Sequence, residues 1–64
     1  MLEEIFEKLE SAPECVVVRK KDIIAFTTVD EIIEYTLKDG DLDKIKAFCK
    51  EKKFWFLNKN GGLL

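Results

Sequence analysis

Cys15 and Cys49 are the only thiols, Ser11 is the only serine, and histidine is absent from the 64 residues. A Ser-His-Asp or Cys-His pair therefore cannot be assembled, because the imidazole that would take the proton is missing. The same absence removes imidazole as a metal ligand. Asp39, Asp41 and Asp43 alternate as the first, third and fifth ligands of a calcium loop would. The sixth position, where the sharp turn needs glycine, is Lys44, and the twelfth, where a bidentate glutamate belongs, is Lys50. Helix capping is the better use of these aspartates. Glu31 with Glu34, and Glu3 with Glu7 and Glu10, could pair as acid and base. Their spacing places them on the wet faces of helices instead. Gly40 is isolated and Gly61-Gly62 lies near the C-terminus, so no glycine-rich phosphate loop is present. No catalytic set, metal or cofactor is expected, and the chain reads as a non-enzyme.

What remains is an apolar run beside cations. Phe54, Trp55, Phe56 and Leu57 follow Lys50-Glu51-Lys52-Lys53. Net charge is −2, but it is unevenly spread. Residues 1–14 carry five Glu and one Lys, whereas residues 44–64 carry six Lys and one Glu. The aromatics thus sit in the only basic part of the chain. Such a run serves as core, as a stacking platform for nucleic acid, or as a face for another chain, where Trp is enriched.

The elements that position this run follow from periodicity. Leu2, Ile5, Phe6 and Leu9 fall on one face, so Leu2–Glu10 reads as an amphipathic helix, with Glu4–Lys8 as a favourable pair along it. Ser11-Ala12-Pro13 ends it. Cys15–Val18 and Ile23–Phe26 are short β-branched runs on either side of Arg19-Lys20-Lys21-Asp22, which predicts a hairpin. Neither run alternates with polar residues, which predicts strands covered on both faces. Thr28 with Glu31 reads as a capping box opening a second helix, with Val29, Ile32, Ile33, Thr36 and Leu37 as its buried stripe and Gly40 as its left-handed stop. Asp41 would cap a third helix burying Leu42, Ile45, Phe48 and Cys49. Phe54–Asn58 reads as a strand, and Asn60-Gly61 as a turn into a final stub at 62–64.

The expectation is one small α+β domain over residues 1–64. It has a mainly antiparallel sheet and three helices in the order α-β-β-α-α-β, with the last stub as an optional strand. A domain of this size buries only about 60% of the surface its unfolded chain exposes, so help from a partner would matter. The absence of Gln and the Lys/Glu-rich charge are thermophile-like. Two cysteines without CxxC spacing read as reduced, buried thiols of a cytoplasmic protein. No apolar run approaches the roughly 20 residues that cross a bilayer, so no membrane partner is expected.

Two resemblances add to this reading. The segment IKAFCKEKKFWFLNKNGGLL resembles the C-terminal third of the TusA/SirA-type sulfur-transfer family, with an aromatic-Cys pair on a helix, then an apolar strand, then a turn. That family's reactive cysteine lies in Cys-Pro-x-Pro. This chain has Pro13-Glu14-Cys15, so the resemblance does not extend to the chemistry. The succession of two helices, an aromatic strand and a Gly-Gly turn resembles the helix-turn-helix-wing portion of winged-helix domains. That implies DNA or RNA as partner and Lys44, Lys50, Lys53 and Lys59 as candidate phosphate contacts. Against it, the third helix opens with Asp41 and Asp43 and carries no Arg, Asn or Gln to read bases. The favoured expectation is a non-catalytic interaction or regulatory module, self-associating or binding another protein. Its face would be Phe54, Trp55, Phe56 and Leu57, with Lys50, Lys52 and Lys53 as a charged rim.

Overall fold

The computed structural model describes residues 2–60 and 62. Helix α1 covers Leu2–Leu9. Three strands follow, β1 at Val16–Lys20, β2 at Ile23–Thr27 and β3 at Ile32–Thr36. Helix α2 covers Asp41–Lys52, and β4 covers Trp55–Asn58. The four strands form one mixed sheet in the order β3-β2-β1-β4. The β1–β2 and β2–β3 pairs are antiparallel, while β4 joins β1 in parallel. A parallel neighbour requires a crossover, which the long excursion through β2, β3 and α2 supplies. Among the described residues the fold is α+β with two helices where three were expected. The stub expected at 62–64 lies outside the described residues, apart from Gly62.

The second expected helix, opened by Thr28, is a strand. Its residues, Ile32-Ile33-Glu34-Tyr35-Thr36, are β-branched or aromatic at four positions of five, and these fit a pleated surface better than a helix. The apolar spacing allowed either structure. Ile33, Tyr35 and Leu37 turn toward the core, and Ile32, Glu34 and Thr36 turn away. The Thr28 hydroxyl does accept N–H bonds from Asp30 (3.2 Å) and Glu31 (3.1 Å), as a cap would. Yet Thr28 N–H also donates back to Glu31 C=O at 2.9 Å, which closes a hairpin between β2 and β3. The capping chemistry is real, but it serves a turn. With that helix gone, the helix-turn-helix pattern has no first helix.

Both helices pack on one face of the sheet. Val17, Phe26, Ile33 and Phe56 stand side by side across the register and share that face. Leu2 and Leu9 of α1 and Ile45, Phe48 and Cys49 of α2 complete the core with them. Burying each such large side chain contributes about 1.5–3 kcal/mol. The helices also hold each other. Phe6 stacks on Phe48 with ring centroids 4.2 Å apart, and Lys52 is ion-paired to Glu10. Lys8 pairs across to Glu31 at 3.0 Å.

Two backbone positions carry the connections into and out of α2. Gly40 is left-handed as expected (φ 83°), but it precedes α2 and turns the chain out of β3. Asp41 is the first helical residue. Its carboxylate accepts the Lys38 N–H at 3.0 Å and the Tyr35 hydroxyl at 2.6 Å, which fastens β3 to the start of α2. At the other end Lys53 is left-handed (φ 63°), and the Phe54 N–H reaches Cys49 C=O at 2.9 Å. This geometry ends the helix and aims the chain directly into β4.

Candidate interaction surface

Strand alternation divides the aromatic run in two. Phe56 is 8% exposed and belongs to the core, and Phe54 packs half-buried against Phe48 with centroids 6.0 Å apart. Trp55 and Leu57 point to the opposite side of the sheet, where no helix lies among the described residues. Trp55 is 61% exposed. The four residues proposed as one face therefore belong to two, and the packing of Phe48 and Cys49 onto the sheet decides which half is buried.

Trp55 and Leu57 have neighbours that the linear sequence does not place beside them. Across the register, Ile32, Thr27, Val16 and Trp55 form one row. Glu34, Ala25, Val18 and Leu57 form the next, and Thr36, Ile23 and Lys20 form a third. Ile32 is 64% exposed, and Ile23 and Val16 are well exposed too. The centre of the face is thus uncharged, apolar except for Thr27, with Glu34 and Lys20 at its margins. Val16, Val18, Ile23 and Ile32 were not singled out as site residues. The signal for the first three was the unbroken apolar character of β1 and β2, which predicted cover on both faces. In the isolated chain only one face has it.

The lysines are also divided. Lys46 and Lys50 share one side of α2, at i and i+4, and with Lys53, the left-handed residue just past the helix, they line a groove of ≈ 650 Å³ with Cys49 and the stretch Phe54-Trp55-Phe56. Lys46 is a residue the sequence reading missed, although its spacing from Lys50 was available. Lys44 lies elsewhere on the helix, near enough to Asp41 to help lower its pKa. Lys59 follows β4 in the terminal turn. Lys52 is committed to Glu10, so it is an internal tie and not a rim cation. The phosphate set read from the sequence is not gathered in one place.

Neither thiol is set up for nucleophilic work. Both are buried and unbonded to each other. Burial raises the Cys15 thiol, and burial with Cys15 nearby pushes Cys49 up to about 11. The thiolate, which is the reactive form, is scarce at neutral pH. Among the described residues no group of three or more His, Cys, Asp or Glu side chains is placed to hold a metal ion. Also among them, no helix is long and apolar enough to cross a membrane. Comparisons of this chain with protein-family models, with curated proteins and with solved structures give no match.

Proposed function

We propose that this chain is a non-catalytic interaction module that self-associates through the helix-free face of its sheet, in the reducing environment of a cytoplasm. The observation that carries the reading is the exposure of Trp55, Ile32, Ile23 and Val16 together on one contiguous face. Contiguous exposed apolar surface of this kind marks interaction sites in soluble proteins. A second copy is the occupant favoured by charge. The centre of the face carries no ionisable group, and the charges at its margin, Glu34 and Lys20, are of opposite sign. Two such faces packed about a twofold axis meet apolar to apolar, as sheets do in a sandwich about 10 Å apart. The two buried thiols, which form no disulfide, fit a reducing compartment.

The driving force is removal of apolar area from water, at roughly 25 cal/mol per Å². Trp55 at the edge of the first row is the natural hot spot, worth about 2 kcal/mol or more. Its fluorescence offers the test, since it is the only tryptophan. Raising the protein concentration shifts Trp55 emission to the blue and protects it from acrylamide as the faces meet. Emission and quenching that stay constant from low to high micromolar concentration would count against self-association through this face.

A further inference from the structure

A second surface lies at the β4 edge of the sheet, and it has a different chemistry from the open face. Among the described residues β4 is an outer strand, paired only with β1. Its backbone direction can be read from its ends. The Asn58 N–H donates to Gly62 C=O at 2.7 Å, away from β1, and the Phe54 N–H donates to Cys49 C=O in α2. Alternation along a strand then turns the N–H and C=O of Phe56 to the same outward side. Helix end and terminal turn use the groups on either side of Phe56, and no other described residue bonds that pair on the groove side. The groove wall opposite is the lysine row Lys46, Lys50 and Lys53. No carboxylate lies within ion-pair distance of any of the three among the described residues; the ion pairs found there are Lys8–Glu31 and Lys52–Glu10.

We propose that this edge binds an extended acidic peptide segment, which adds as a short fifth strand beside β4 and directs alternate carboxylates to Lys46, Lys50 and Lys53. Three features fit one occupant. The Phe56 amide and carbonyl supply the backbone pairing that strand addition uses. Side chains on one face of an added strand recur about every 7 Å. Lys46 and Lys50, at i and i+4 of α2, are spaced by about 6 Å along its axis, within reach of that repeat on their flexible stems, and Lys53 extends the cationic wall past the helix end. Charge excludes a second copy joined edge to edge, because that would set three lysines against the same three. The proposal concerns the edge alone and stands apart from self-association through the open face.

The test uses the whole chain and a fluorescently labelled hexapeptide of alternating Val and Glu, followed by anisotropy at low and high salt. The expected result is binding that weakens with salt, and that falls by roughly tenfold or more in the Lys46→Glu/Lys50→Glu double variant. Lys44→Glu, an equal charge change on the helix away from the groove, leaves binding within about twofold. All the substituted lysines are exposed, and circular dichroism checks that the fold is retained. A peptide with alternate amides N-methylated keeps its charge, loses its strand edge and loses binding. The proposal is overturned if the acidic peptide fails to bind at millimolar concentration. It is equally overturned if Lys44→Glu weakens binding as much as the groove variant does, or if the N-methylated peptide binds as well. A labelled thymidine oligonucleotide that binds the groove more tightly than the peptide would overturn it in favour of nucleic acid.

Discussion

Val16 of β1 and Trp55 of β4 stand opposite each other in parallel register, both on the side of the sheet that carries no helix. One residue further along, Val17 and Phe56 face each other on the other side, inside the core. The same two strands therefore build a buried pair and an uncovered pair from adjacent residues. That contrast makes the two faces separable by mutation.

Phe56→Ala is expected to destabilise the folded subunit by about 3–5 kcal/mol, because it leaves a cavity in a core that cannot close around it. Trp55→Ala is expected to change subunit stability by no more than about 0.5 kcal/mol, as an exposed side chain does. Urea unfolding at low protein concentration, where self-association is negligible, measures both. Equal losses for the two variants would mean that the indole is part of the core.

Tyr35 is the only tyrosine, so its ionisation can be followed by absorbance near 295 nm. The hydrogen bond to Asp41, followed by burial and the negative charge of Asp41, pushes its pKa up to about 12. Asp41→Ala should return it toward the ordinary value near 10. A raised folded-state pKa means that this contribution to stability is complete below pH 10 and is lost as pH rises through about 12. The same bond, with the Lys38 N–H, lowers the pKa of Asp41. Its contribution is present above the ordinary aspartate value and is lost as pH falls through the lowered one. Tyr35→Phe should therefore reduce the sensitivity of stability to both extremes.

Gly40 and Lys53 flank α2 with the same left-handed backbone but opposite residue choices. A Cβ at Gly40 would meet nothing within 4 Å, so Gly40→Ala costs only backbone strain, about 1–2 kcal/mol. Lys53→Gly relieves such strain and should stabilise the chain by roughly 0.5–1 kcal/mol, net of the added freedom of the unfolded state. Thermal unfolding of the two variants should move in opposite directions, and parallel shifts would refute the assignment of strain to these caps.

Cys15 and Cys49 should label slowly with a thiol reagent in the folded state and rapidly in urea, with both accounted for as free thiols. Fast reaction of either one in the native chain would restore a sulfur-transfer reading that its burial and raised pKa argue against.

Five of the six elements were legible because their signals are local. The Leu2, Ile5, Phe6, Leu9 stripe makes α1, and the β-branched runs make β1 and β2. Asp41 and the lysine-rich last turn bracket α2, and Phe54–Asn58 announced β4. β3 was not legible, since Ile32, Ile33, Thr36 and Leu37 suit a helical stripe as well as a strand. Pairing with β2 settles the matter, and pairing is a tertiary fact. The same limit applies to the surface. Strand alternation turns half of Phe54–Leu57 away from the core, but nothing local says which half. Nor could the sequence place Ile32 and Val16 in one row with Trp55, because that row exists only once all four strands are in register.

Sedimentation equilibrium of the wild-type chain beside an Ile32→Lys/Trp55→Lys variant tests the central claim most directly. The wild type is expected to move with concentration from 7.5 kDa toward twice that mass, while the variant stays folded at 7.5 kDa. A wild-type chain that remains at 7.5 kDa at high micromolar concentration, or a variant that associates as well as the wild type, would contradict that claim.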